Sequence, residues 1–134
     1  MREIKFRAWD KKWKRMLVVS ELEFNNVSGK LQGILTNDPN LQGYGGAGVS
    51  IFTDLDQVDL MQYTGLKDKN GVEIYEGDIV RLSLGWITVK AEVKYSGSQF
   101  IVDIDSVMSR SLDAYLVKII GNKFQNPELL EVSE

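Results

Sequence analysis

The segment spanning residues 60–80 limits what this chain can fold into more than any other part of the sequence. Its short apolar runs are separated by two glycine-bearing turns, Asn70-Gly71 and Gly77-Asp78. Asn and Gly tolerate the positive φ angles that tight hairpin turns require, and the runs between them have the length and the side chains of β-strands. We therefore expect antiparallel strands here, with Asn70 and Gly71 both in the left-handed conformation.

Three segments of the chain resemble the YopX family of phage and prophage proteins: residues 60–80 (LMQYTGLKDKNGVEIYEGDIV), 2–10 (REIKFRAWD) and 119–130 (IIGNKFQNPELL). Within the first of them, residues 76–81 (EGDIVR) are similar to the first strand of SH3-like barrels. The resemblance implies an SH3-like barrel in the second half of the chain and a phage or prophage setting. It implies no catalytic or binding residue, because the family has no established activity.

The pattern of strand candidates predicts a mostly β protein with two parts. Residues 1–60 are expected to form an N-terminal β-hairpin region with a glycine-rich loop, and residues 61–134 a small antiparallel SH3-like β-barrel. Merging of the two parts into one YopX-like domain is the alternative. The first hairpin is predicted from alternating apolar residues around Phe6, a turn at Asp10-Lys11-Lys12 and an apolar return strand from Met16.

Length and hydropathy indicate a globular protein. The 134 residues are 43% hydrophobic, which is enough for one core or two very small ones. No apolar run approaches the roughly 20 residues that span a bilayer, and the charged start of the chain lacks the apolar core of a secretory signal. We therefore expect no membrane partner and a location in the cytoplasm of a bacterial host.

The absence of cysteine and histidine removes most familiar catalytic chemistry. Disulfides, thiol nucleophiles, Cys/His zinc sites and the commonest general base are all excluded. The carboxylates Asp54, Asp56 and Asp59 lie close in sequence and are of the type that magnesium prefers, but they lack the spacing of a calcium-binding loop. We interpret them as surface charges, and the sequence predicts no enzyme, no cofactor and no metal.

Charge is distributed unevenly along the chain. Residues 2–15 carry seven basic and two acidic residues, whereas the whole chain has a formal net charge of −3. The basic stretch also contains aromatic residues, and such a combination can stack bases while it neutralises phosphates. The same residues also suit a solvated hairpin face with edge-blocking charge. The candidate surface for nucleic acid or a partner comprises Arg7, Trp9, Lys11, Lys12, Trp13, Lys14, Arg15 and, in the second half, Trp86.

Two functions from different classes lead on the sequence alone, and a carboxylate-based metal enzyme is a third option. The leading one is a non-enzymatic binding or assembly module, of phage or prophage origin, that recognises a phage or host protein. Since small β units with exposed strand edges pair readily, a homo-oligomer is a further expectation. The alternative is a nucleic-acid-binding accessory protein that uses the basic N-terminal hairpin, although the acidic pI of about 5.1 weighs against it.

Overall fold

A computed structural model of the protein describes residues 3–37, 49–104, 109–112 and 117–130. Within them the chain is mostly β, as the sequence predicts. The predicted glycine-rich loop, with Gly43, Gly45, Gly46 and Gly48, lies outside the described residues.

The strands are β1 Phe6–Asp10, β2 Arg15–Phe24, β3 Leu31–Asn37, β4 Val49–Phe52, β5 Val58–Lys67, β6 Glu73–Tyr75, β7 Asp78–Leu84, β8 Ile87–Ser96, β9 Gln99–Asp103, β10 Ser109–Ser111 and β11 Val117–Asn122. Short 3₁₀ turns cover Leu55–Gln57 and Pro127–Leu130.

The strands form two antiparallel sheets with the orders β4-β3-β2-β1-β5-β6 and β10-β9-β8-β7-β11. The chain also divides into two compact units. The N-terminal unit is Lys5–Met61, and the C-terminal unit is Met1–Ile4 with Gln62–Glu134. Strand β5 continues from the first unit into the second after Met61, where its later residues pair with β6.

The N-terminal unit is built on the predicted first hairpin. β1 and β2 pair in register, with Ala8 opposite Leu17 and Asp10 opposite Arg15. Ala8 packs with Ile34 and Val58 in the core of this unit. Because side chains alternate along a strand, Arg7 and Trp9 lie on the opposite face of the sheet from Ala8.

The C-terminal unit buries one face of its five-stranded sheet. Alternate residues of β7, β8, β9 and β11 point to this face, and the period of two in the sequence accounts for the pattern. The fully buried members of the core are Ile74, Val80, Leu82, Ala91, Val93, Val102 and Val117. On the opposite face, the 3₁₀ turn Pro127–Leu130 follows the last strand and Leu129 comes close to Gly121.

The predicted SH3-like barrel is corrected by the strand order. In the part of the chain that the structure describes, the second sheet is open, with β10 and β11 as its end strands. Residues 73–75 fall within the predicted barrel, but β6 pairs with β5 and belongs to the other sheet. Strand partners are set by long-range packing, which alternating apolar residues alone do not reveal.

One predicted turn is also corrected. Gly71 has a φ of +83°, whereas Asn70 is not among the residues with positive φ. The connection from Lys67 to Glu73 is five residues long, because Asp68 accepts hydrogen bonds from the N–H groups of Asn70 and Val72 and so shapes a wider loop.

Candidate functional site

The basic turn between β1 and β2 is organised by a buried carboxylate. Asp10 is 1% exposed, and its Oδ1 accepts hydrogen bonds from the N–H groups of Lys12 and Trp13 at 3.0 and 3.3 Å. Its Oδ2 accepts a hydrogen bond from Nε of Arg15 at 3.1 Å. An aspartate that bonds to the backbone two and three residues later stabilises a tight turn. Asp10 therefore holds the turn in the form that presents residues 11–14 to solvent.

Two cations of the predicted surface are engaged in pairs within the N-terminal unit. Arg15 is paired with the buried Asp10. Lys11 donates from Nζ to the backbone oxygen of Asp56 at 2.9 Å, and Nζ lies 3.8 Å from Oδ1 of Asp59. Their charges are thus partly neutralised by this unit's own carboxylates, which reduces what they contribute to a polyanion surface.

The tip of the turn retains two cations and an aromatic ring. Trp13 is 67% exposed, and Nζ of Lys12 lies 5.5 Å from the centre of its ring, within cation–π range. Lys14 adopts a φ of +53° and is also exposed. Lys12 and Lys14 form no ion pair with any other described residue. In contrast, Arg7 and Trp9 are half-buried in β1, so the structure does not bring all the predicted residues to one surface.

Trp86 lies in the C-terminal unit, at the tip of the hairpin that joins β7 and β8. It is 93% exposed, and it follows Gly85, which has a φ of +70° in the first position of a two-residue loop. Glycine in this position is typical of the turns that connect adjacent antiparallel strands closely. On either side of the loop, Leu84 is paired with Ile87, and Leu84 packs against the core.

The polar residues of the motif at positions 60–80 hold the backbone of the C-terminal unit. Asp68 is buried; Oδ1 accepts from the N–H groups of Asn70 and Val72, and Oδ2 accepts from the N–H of Ile119 at 3.0 Å. Burial alone would raise the pKa of Asp68. The three backbone hydrogen bonds and the charge of Lys118 outweigh that effect and hold the pKa below its ordinary value. Asp68 therefore ties the loop to β11 as an anion.

A second buried carboxylate fixes the next turn. Oδ2 of Asp78 accepts a hydrogen bond from the N–H of Tyr75 at 2.8 Å. Between them, Gly77 has a φ of +84°, donates to the carbonyl of Val93 and accepts from the N–H of Lys123. The Gly-Asp pair is thus a junction between the turn, β8 and the segment after β11.

The closing motif is held by two amide side chains. Oδ1 of Asn122 accepts from the N–H groups of Phe124 and Gln125, and Oδ1 of Asn126 accepts from the N–H of Asn122. A Cβ atom on Gly121 would lie 2.5 Å from Oδ1 of Asn126, so only glycine fits this close approach. These residues close the fold and are not free for catalysis.

The acidic residues of the N-terminal unit have structural roles of the same kind. The side chain of Asp54 caps the 3₁₀ turn Leu55–Gln57 by accepting from the N–H of Asp56, and Asp59 pairs with Lys11. Among the residues that the structure describes, no three acidic, cysteine or histidine side chains are grouped closely enough to hold a metal ion. Nor does the described part of the chain contain a helix long and apolar enough to cross a membrane.

Comparisons with known proteins agree with the sequence motifs. The YopX protein family model matches residues 5–131, so the chain belongs to the YopX family. The predicted resemblance is therefore confirmed. A search of curated proteins finds no match.

Two crystal structures are similar to this one over their full length. Protein EF1440 from Enterococcus faecalis has 30% sequence identity and a TM-score of 0.66, with 98% of this chain and 100% of that chain covered. Protein yopX from Bacillus subtilis has 23% identity and a TM-score of 0.62, with both chains covered completely. Both support the fold, and neither title describes an activity.

Proposed function

We propose that this protein is a non-enzymatic binding module that recognises a protein partner, with Trp86 as an anchor residue. One observation carries the proposal: this indole is 93% exposed. Tryptophan is strongly enriched among the residues that dominate protein–protein binding energy, because it buries a large apolar area and still offers an N–H donor. An indole in this position is available to fill a pocket on another protein.

The support beneath Trp86 favours tight binding. The loop contains only Gly85 and Trp86, and the pair formed by Leu84 and Ile87 anchors it to the sheet. A short loop on a paired hairpin loses little conformational freedom on binding, which lowers the cost of association. Ile87 is itself 41% exposed and extends the apolar surface of the tip.

The bonding of the buried acidic side chains supports a role without catalysis. Asp68 and Asp78 accept backbone hydrogen bonds, and Asp10 is paired with Arg15. A general base needs a lone pair directed at substrate. Carboxylates engaged in this way stabilise loops, which is what a binding scaffold requires.

Quantitative affinity purification from bacterial cells that carry the gene tests the proposal. Trp86→Ala should reduce the yield of a phage or host partner by about tenfold or more, as expected for loss of an anchor residue. Val27→Ala is the matched control, since Val27 is 92% exposed on a turn of the N-terminal unit. An unchanged set of co-purifying proteins with Trp86→Ala would contradict the proposal.

A second candidate function, nucleic-acid binding by the N-terminal turn, is favoured by the exposed Trp13 with Lys12 over its ring. An exposed ring with adjacent cations can stack on a base and contact its phosphate. Lys12→Ala with Lys14→Ala should then weaken RNA or DNA binding without lowering the melting temperature. Equal affinity of the variant and the wild type would exclude this candidate.

The setting belongs to the same proposal. We propose a location in the cytoplasm of a bacterial host and a phage or prophage origin; the bacterial source of the similar protein EF1440, Enterococcus faecalis, supports the bacterial part of this setting. A homo-oligomer is proposed as well, because sheets that end in unpaired strand edges tend to pair with another copy, and both sheets are open in the described part of the chain. Light scattering on the purified protein measures its mass. A monomeric mass would exclude the homo-oligomer and leave the proposed partner binding untouched.

A further inference from the structure

Strand register places three cations in one row across the C-terminal sheet. Lys118 of β11 is opposite Arg81 of β7, and Arg81 is opposite Lys90 of β8. All three are exposed. The next row of the same strands contains Leu82 and Val117, which are buried in the core. Since side chains alternate between faces, the three cations lie on the outer face of the sheet.

A fourth cation extends the row at the edge of β11. The N–H of Lys69 donates to the carbonyl of Val117 at 3.2 Å, which places Lys69 beside Lys118. Lys69 is also exposed. Adjacent strands lie about 4.8 Å apart, so the line from Lys69 to Lys90 is roughly 15 Å long. Residues 69, 81, 90 and 118 are far apart in sequence, and only the fold brings them together.

Two acidic residues close to this row along the chain, Asp68 beside Lys69 and Glu92 on β8, are already engaged. Asp68 is buried and accepts three backbone hydrogen bonds, and Glu92, two residues along β8, lies 3.7 Å from Nζ of Lys123. Within the described part of the chain, Arg81, Lys90 and Lys118 form no ion pair. Like charges directly opposite each other destabilise a sheet. Asp68 offsets part of the charge of Lys118, whereas Arg81 and Lys90 stand opposite each other across β7 and β8. The row therefore favours an external anion.

We propose that Lys69, Lys118, Arg81 and Lys90 bind the sugar–phosphate backbone of a nucleic acid. Ser83 and Thr88 form the next exposed pair of the same face and supply hydroxyl donors. Lysine, arginine, serine and threonine are the usual contacts to phosphate oxygens. The surface goes beyond the protein-recognition proposal and does not depend on Trp86.

The composition of the row favours nucleic acid over an acidic protein. Protein–protein interfaces are depleted in lysine at their centre and enriched in apolar and aromatic residues. Surfaces that bind nucleic acid are more polar and much more positively charged. Because the row contacts only phosphates, binding should be independent of base sequence and steeply dependent on salt, with a logarithmic slope of about −3 to −4 for four phosphates.

Fluorescence anisotropy with labelled single- and double-stranded DNA and RNA, between about 0.05 and 0.2 M salt, tests this inference on the full chain. The triple variant Arg81→Ala, Lys90→Ala, Lys118→Ala should bind at least about tenfold more weakly and lose about two to three units of salt slope. Its melting temperature should stay close to that of the wild type, because the removal of opposed like charges offsets the loss of the Lys118 charge that acts on Asp68.

The control removes an exposed cation of the N-terminal unit that lies outside the turn between β1 and β2: Lys30→Ala. This control should bind like the wild type. The inference is wrong if the wild type binds none of the four nucleic acids, if the row variant binds unchanged, or if the control loses as much affinity. Row-dependent binding of poly-glutamate without nucleic-acid binding would assign the row to an acidic protein and would also overturn the inference.

Discussion

Several polar side chains of the sequence motifs accept hydrogen bonds from backbone N–H groups. Asp68 accepts an N–H group of β11, Asp78 one of β6, and Asn122 one of the segment after β11. An aspartate that stabilises a loop and one that acts in catalysis are the same residue type, so the sequence alone does not distinguish these two roles. The buried Asp10 was likewise missed, although its position before a Lys-Lys-Trp-Lys turn is a recognisable signal for an aspartate-capped turn.

Asp68 gives a prediction about acid stability. The pKa of Asp68 is lower in the folded state than in the unfolded state. Its carboxylate therefore stabilises the folded protein fully above the unfolded pKa of about 4. This stabilisation is lost as the pH falls through the pKa of the folded state. Asp68→Asn should cost about 1.5–3 kcal/mol at neutral pH, because backbone hydrogen bonds to a charged acceptor are weakened. The loss in the free energy of unfolding caused by Asp68→Asn should be smaller in acid, where Asp68 of the wild type is also uncharged. Urea unfolding at pH 7 and below pH 4 measures both.

Asp56→Asn is the control for that experiment, because Asp56 is an exposed carboxylate of the N-terminal unit. It should leave the free energy of unfolding within about 0.5 kcal/mol of the wild type. An Asp68→Asn penalty that is equally large at acid and neutral pH would show that the charge of Asp68 is not what stabilises the loop.

For whole elements, local sequence was informative where a turn is short. The loop Gly97-Ser98 between β8 and β9 has both residues at positive φ, whereas the loop after Lys67 is longer because Asp68 reshapes it. A two-residue loop depends on its own backbone angles. The longer loop depends on a contact with Ile119, 51 residues away, which local patterns do not contain.

Ser98→Gly should stabilise the protein by about 0.5–1 kcal/mol. Ser98 has a φ of +67°, which costs energy for a residue with a Cβ and none for glycine. Ser96→Gly is the control and should destabilise, because glycine in a strand loses more conformational entropy on folding. Thermal unfolding of both variants measures the difference. A lower melting temperature for Ser98→Gly than for the wild type would show that the positive φ of Ser98 does not destabilise the protein.

Gly121→Ala should detach the 3₁₀ turn Pro127–Leu130 from β11. The new Cβ would lie 2.5 Å from Oδ1 of Asn126 and 2.9 Å from Cδ1 of Leu129, and overpacking of this kind costs about 1–3 kcal/mol. A double-mutant cycle with Asn126→Ala measures the coupling by urea unfolding. The substitution should cost less when Asn126 is absent, and purely additive effects would rule out the clash.

Across the whole molecule, the family and the β class were predictable from the sequence, and the arrangement of charge was not. The sequence alone indicates a basic surface at the start of the chain, but Lys11 and Arg15 of that stretch form ion pairs with carboxylates of their own unit. The row containing Lys118, Arg81 and Lys90 is created by strand register across three strands. Register arises from the complete pattern of core packing, so such a surface becomes visible only in the folded chain.

The proposed function depends on a contact between the hairpin tip at Trp86 and another protein. Site-specific photo-cross-linking tests it most directly, with p-benzoylphenylalanine introduced at position 86 or, as the equally exposed control, at position 27 in bacterial cells that carry the gene. We expect one discrete adduct of defined mass with the label at position 86 and none with the label at position 27. No adduct at position 86, or the same adducts at both positions, would contradict the claim.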